Sequence, residues 1–175
     1  IDPNVFSSFL KTHGENKFIG YENIKNTAKI LAIWTDNQFT DEITAEKKGF
    51  IILDKTCFYA QKGGQVGDTG TIYTDNAEFI VTDTQTPYNG IIIHIGKVQK
   101  GSLKKQEKIT AQIDVKRRMD ICSNHTSTHL LHWALKQILS EHIMQSGSLV
   151  EENYFRFDFN FPRALTSEEI KKIES

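Results

Sequence analysis

Apolar residues in the first two-thirds of the chain fall in short β-branched or aromatic runs: TAKILAIWT, GFIILDKT, GTIYT, EFIVTDT, GIIIHIG and KITAQID, between Asn26 and about Val115. Turn residues such as DN, PYNG and KGS separate them, so each run predicts a strand. No helical pattern intervenes, which points to a small closed barrel and away from a parallel sheet. The opening segment, residues 1–25, is polar, with Phe6, Phe9 and Leu10 spaced as one apolar turn of a short helix.

Near Asp114 the pattern changes. From Val115 to about Ile143 there is neither glycine nor proline, and Leu131, Leu135, Ile138, Leu139 and His142 recur at helical spacing, with Ile121 and Cys122 on nearby faces. Asp114 is the expected N-cap, and Gly147 stops the pattern. YFRFDFNF, Tyr154 to Phe161, then alternates aromatic and polar residues as a half-buried strand does. After Pro162, Thr166 and Glu169 form a capping box at the start of TSEEIKKIES. The chain stops one or two turns into that amphipathic helix, so a piece of a longer protein is expected. The expected organisation is a lead-in (1–25), a β-barrel subdomain (26–115) and the start of an α+β domain (116–175).

Composition narrows the class. With 175 residues, 38% hydrophobic and 25% charged, the chain resembles a globular protein large enough to bury a core. No apolar run approaches the roughly 20 residues of a membrane span, and no secretory signal is visible, so no membrane partner is expected. Cys57 and Cys122 lack a CxxC spacing, which fits a reducing cytoplasm and two buried small hydrophobes. A net charge of -1 argues against a protein that coats nucleic acid non-specifically. An RNA partner would need a local patch, such as Lys97, Lys100, Lys104, Lys105, Lys108, Lys116, Arg117 and Arg118; charge alone fits a solvated lysine-rich hairpin equally well.

His125, His129 and His132 are half of the six histidines and lie within eight residues. Positions i and i+4 share a helix face, so His125 and His129 point the same way, as helical HxxxH pairs do when they hold a divalent metal. His132 falls near that face. Zinc accepts two imidazoles but wants a tetrahedral set. Cys57, Cys122, His94 and His132 are candidate third ligands, none with a motif-like relation to the pair. No glutamate stands where an HExxH metalloprotease carries its base. From the residues alone, half a metal site and a pair of packing histidines both remain open.

Four blocks carry a resemblance: FYAQKGGQVGDTG (Phe58–Gly70), RRMDICSNHTSTHLLHWAL (Arg117–Leu135), QSGSLV (Gln145–Val150) and RFDF (Arg156–Phe159). In order and spacing they resemble successive motifs of the alanyl-tRNA synthetase editing domain, from about Phe18 onward. The resemblance implies an α+β fold: a small antiparallel β-barrel followed by the first part of the editing domain common to threonyl- and alanyl-tRNA synthetases. It implies hydrolysis of serine or glycine wrongly esterified to tRNA(Ala), with ATP-dependent ligation done by other domains of the synthetase. His125 and His129 match two zinc ligands of the family, and Thr128 and Gln145 match its editing pocket. His132 is carried without being a ligand. The family's other two ligands come from a Cys-x-x-x-His block downstream, which is absent here, so Zn²⁺ binding in this chain is expected to be weak or missing.

Ester hydrolysis needs a placed water, a group that activates it and a donor to the developing oxyanion. A zinc ion would lower the water's pKa or orient the substrate amine. Thr128 is expected beside the metal face, its hydroxyl toward a serine side chain or the ester; an ordinary helical threonine bonding back to a carbonyl is the competing reading. KGGQVGD lacks the lysine-serine ending of a P-loop, so Gly63, Gly64 and Gln65 are read as a tight hairpin near the tRNA end, with Arg117 and Arg118 as phosphate contacts. Two rivals stand beside this reading. A free-standing AlaX-type hydrolase would typically carry prolines in the FYP…GGGQP block, where this chain has FYA and GGQVGD. A non-catalytic RNA-binding module would use the histidines only for packing.

Overall fold

All six runs between Asn26 and Val115 form strands, and the reason they close on themselves lies in which faces they bury. The computed structural model describes residues 3–175, with side chains from Phe6 onward. In chain order the elements are α1 (Pro3–His13), β1 (Lys17–Phe18), β2 (Lys25–Thr35), β3 (Gln38–Thr40), β4 (Glu42–Thr44), β5 (Lys48–Leu53), β6 (Lys55–Thr56), β7 (Gly70–Tyr73), β8 (Glu78–Tyr88), β9 (Ile91–Lys100), β10 (Ser102–Lys104), β11 (Lys108–Ile113), α2 (Val115–Ile138), β12 (Gln145–Val150), β13 (Phe155–Phe159) and α3 (Ser167–Glu174). The chain divides into two compact units: residues 1–61 with 67–115, and residues 62–66 with 116–175.

In the first unit the strands run in the order β11-β7-β8-β9-β5-β2, and a further pairing of β11 with β2 completes a six-stranded antiparallel barrel. Inward residues fill it: Ile30 and Ile33 from β2, Ile51 and Leu53 from β5, Ile72, Phe79, Val81, Val98, Ile109 and Ala111 from the rest. β5 shows why FIIL reads as an unbroken apolar run. Ile51 and Leu53 face the barrel interior, while Phe50 and Ile52 belong to a second cluster with Phe6, Phe9, Ala32, Ile91 and Ile93. A strand covered on both faces loses its polar alternation. The cover is α1, which presents Phe6 and Phe9, the expected apolar turn. Asn16 stitches the lead-in to β9, its amide nitrogen donating to the carbonyl of Ile92 and its oxygen accepting from the Ile92 N–H, both at 2.8 Å. Cys57 lies buried in the barrel core.

His94 is 0% exposed inside this unit. Nδ1 donates to the carbonyl of Ile51 at 2.9 Å, and Nε2 accepts from the Thr56 hydroxyl at 2.7 Å. Both ring nitrogens are thereby spent, so His94 is not available as a zinc ligand. Desolvation lowers its pKa from 6.5 to about 4, against a smaller opposing effect of the Ile51 hydrogen bond.

In the second unit α2 stops at Ile138, five residues short of the expected Ile143. The chain turns back because Ile143 is buried, with its N–H on the carbonyl of Ser140 (3.1 Å), and the Ser140 hydroxyl accepts from the His142 N–H. Such local side-chain bonds compete with helix continuation. His142 therefore lies off the helix, exposed. The buried seam of α2 is Ile121, Thr128 and Leu135, seven residues apart. Cys122, a residue further round, is exposed, correcting the expectation that both cysteines are buried. QSGSLV, for which the hydrophobic pattern predicts no element, is strand β12, paired antiparallel with β13 and irregular between Gln145 and Gly147. The Thr166–Glu169 capping box forms as expected at α3. Hydrogen bonds from Arg163 and from the Thr166 backbone hold the Glu169 carboxyl down to about 2. Among the described residues no helix is long and apolar enough to cross a membrane.

His94 makes stability depend on pH. Below 6.5 the unfolded chain takes up a proton that the folded barrel accepts only near 4, so stability falls as pH drops through that window. The 6.5-to-4 difference corresponds to roughly 3 kcal/mol. Urea unfolding at several pH values is expected to show that loss, and His94→Gln is expected to flatten the dependence between those limits.

Candidate functional site

The second unit is built from four pieces: α2, the β12–β13 hairpin, α3, and a small hairpin, residues 62–66, contributed by the Gly-rich segment. α2 tolerates the run SNHTSTH because its hydroxyls bond back to the preceding turn. Ser123 donates to Met119 O (3.1 Å), Thr126 to Cys122 O (3.1 Å), Ser127 to Ser123 O (3.0 Å) and Thr128 to Asn124 O (2.9 Å). Asn124 then ties the helix to the turn after β12, donating to the carbonyls of Glu151 (2.7 Å) and Glu152 (3.2 Å). Arg117 pairs with the Glu152 carboxylate at 3.1 Å. Helix and turn are thus clamped at two points, one beside His125 and one two helical turns before it.

On that framework the rings of His125 and His129 stack, centroids 5.0 Å apart and planes 27° from parallel. His125 is half-buried and His129 exposed. Nδ1 of His125 meets Oε1 of Gln65 at 2.6 Å. His132 is used otherwise: Nε2 donates to the carbonyl of Ile143 at 3.1 Å, and the ring lies against Phe157 with centroids 5.0 Å apart. Among the described residues no group of three or more His, Cys, Asp or Glu stands where one metal ion could be held.

The other residues singled out in the sequence are distributed unevenly. Thr128 is 6% exposed, and its hydroxyl proton is committed to Asn124, the competing geometry for a helical threonine; its oxygen retains lone pairs. Gln145 opens β12, exposed, and donates to the Ser148 hydroxyl at 2.9 Å. Gly63 and Gly64 occupy a tight turn, and Gln65 is buried against His125. Lys97 pairs with Glu46 and Lys116 with Asp120 (2.6 Å), so these two basic positions, like Arg117, are ion-paired. Asn124, Glu152 and Ser148 carry no sequence signal. The contacts of Asn124 with Glu151 and of Ser148 with Gly63 span 27 and 85 residues, and no spacing rule announces them.

A profile of the tRNA synthetases class II (A) matches residues 3–117, and the chain belongs to that family. The match covers α1 and the barrel and ends before His125. Over nearly its whole length the chain is similar to alanine–tRNA ligases. It is 43% identical over 170 residues to those of Haemophilus influenzae strain ATCC 51907 / DSM 11121 / KW20 / Rd and strain PittGG, and 42% identical to that of strain 86-028NP. Each alignment takes in 97% of this chain and 19% of the relative, so the chain spans about a fifth of the relatives' length. The synthetase resemblance read from the four motif blocks is borne out.

The distinct role of His132 is open to test. His132→Ala removes one hydrogen bond and one ring contact, so unfolding is expected to become easier by about 1–2 kcal/mol. Urea unfolding followed by tryptophan fluorescence measures that loss, and an unchanged midpoint would show that neither contact contributes.

Proposed function

We propose that this chain is the editing region of an alanine–tRNA ligase, hydrolysing serine or glycine esters of tRNA(Ala). The observation that carries the reading is the stacked His125–His129 pair on α2, one turn apart, with buried Thr128 between them in sequence. In this reading the second unit is the beginning of the α+β editing domain common to threonyl- and alanyl-tRNA synthetases. The remaining synthetase domains and tRNA(Ala) are its partners, ATP-dependent ligation takes place in those other domains, and the protein works in the cytoplasm.

Zinc fits the donor chemistry in part. Two imidazoles on successive turns of one helix suit two corners of a tetrahedral set, and the other two donors would come from outside residues 3–175. His125 and His129 would hold the ion, which when bound supplies Lewis acidity beside the ester. The chain's own residues do the sorting. With its proton held by Asn124, the Thr128 oxygen is an acceptor, suited to the hydroxyl of a seryl ester. Alanine offers no such donor and would leave that buried oxygen without a partner, which disfavours its binding. Gln145, held by Ser148, would bound the other side of the pocket. For tRNA contacts the exposed turn at Gly63 is favoured over Arg117, which would have to leave Glu152.

Deacylation of Ser-tRNA(Ala), with Ala-tRNA(Ala) as the control, tests this. This chain alone, with two of the four ligands, is expected to be slow or inactive. In a longer chain that supplies the other two donors, zinc is expected to support selective hydrolysis of the serine ester and a chelator to suppress it. His125→Ala and His129→Ala should each lower the rate by at least on the order of 100-fold, since even outer-shell partners of a metal are worth 10- to 100-fold. Binding of tRNA(Ala) with no hydrolysis, unaffected by either substitution, would assign the region to a non-catalytic tRNA-binding module.

A further inference from the structure

Gln65 is a polar side chain only 7% exposed, and it reaches His125 from 60 residues away in the sequence. We infer that the 62–66 hairpin is a positioning arm for the histidine pair, in which Gln65 holds His125 as the Nδ1-protonated tautomer and leaves Nε2 as that ring's only lone pair. An amide oxygen can only accept, so the 2.6 Å contact requires the proton on Nδ1. The same bond fixes the ring's rotation. An imidazole that ligates through one nitrogen is oriented in this way by an acceptor on the other.

The arm is built for reach. Lys62 and Gln65 exchange two backbone hydrogen bonds of 3.1 Å, closing a two-residue turn at Gly63 and Gly64, whose φ values are +61° and +85°. Gly64 O accepts from Val150 N at 2.8 Å, and Val66 N donates to Val150 O at 3.2 Å, laying the arm against β12. A Cβ on Gly64 would sit 2.4 Å from the Ser148 hydroxyl oxygen and 2.6 Å from its carbonyl oxygen. Only glycine allows this approach, and the approach brings the Gln65 amide to His125. The glycines of KGGQVGD thus serve a side chain in the site. The purpose of presenting Nε2 rests on the editing reading; the tautomer itself does not.

Two measurements on the 175-residue chain test the arm: long-range ¹H–¹⁵N correlation of the imidazoles under alkaline conditions, and Zn²⁺ affinity by chelator competition. In the unsubstituted protein His125 is expected as the Nδ1–H tautomer. Gln65→Leu, which keeps the shape but removes the acceptor, should shift it toward Nε2–H and weaken zinc binding by about 10- to 100-fold. Gln65→Glu, which restores an acceptor, should recover both. Gly64→Ala keeps the Gln65 side chain but displaces the arm that carries it, and should reproduce the tautomer shift. An Nε2–H tautomer in the unsubstituted protein overturns the inference, and this outcome needs no variant to fold. So does a Gln65→Leu protein with unchanged tautomer and zinc affinity. A tautomer and affinity that respond as expected, while a longer chain with all four donors never hydrolyses Ser-tRNA(Ala), would sink the editing reading and leave the positioning arm standing.

Discussion

Everything in the first unit depends on β11 pairing on both of its edges. One edge meets β7 and the other meets β2, and without the second pairing the six strands would be an open sheet with two exposed rims. Closure lets Ile30, Ile51, Phe79 and Ile109 share one interior, and it sets the inside-outside alternation of every strand. The outer faces of β2, β5 and β9 then need their own cover, which α1 supplies with Phe6 and Phe9. Closure also explains how a histidine is accommodated inside. Strand β9 carries His94 inward, where the Ile51 carbonyl and the Thr56 hydroxyl satisfy both nitrogens, and the apolar surroundings keep it neutral.

The second unit is organised on a different principle. Its buried seam along α2 is narrow, Ile121, Thr128 and Leu135, so much of its definition comes from polar clamps. Asn124 and Arg117 hold the turn after β12, His132 holds Ile143, and Gln65 holds His125. These bonds join α2 to three different segments. All but the Arg117 pair use side chains from the same stretch of helix that carries the histidine pair. A site assembled in this way has its geometry set by hydrogen-bond direction, which is stricter than apolar contact about where a ring nitrogen points.

Thr128 shows how a position and a role separate. Its place one residue before His129 is visible in the sequence, and its burial follows from the seven-residue seam. That its proton goes to Asn124, leaving it an acceptor, is a matter of rotamer and helix geometry. His132 is similar. Spacing puts it near the face shared by His125 and His129, and the backward turn of the chain after Ile138, which brings the Ile143 carbonyl to its ring, gives it another task.

Local pattern therefore determined a good deal. The six barrel strands, the apolar turn of α1, the capping box of α3 and the shared face of His125 and His129 all follow from interactions between residues a few positions apart. Propensity and period suffice for those. The end of α2 is not legible in its own residues because nothing within four positions forbids continuation; the burial of Ile143 stops it. Nor is β12 legible, because its partner, Phe155–Phe159, follows a turn that the QSGSLV pattern does not contain. The closing β11–β2 pairing and the arm that brings Gln65 to His125 were decided only by tertiary structure. The first joins Lys108 to Lys29 and the second spans 60 residues. A contact at such separation leaves no periodic trace in either segment; it exists only once the chain has packed.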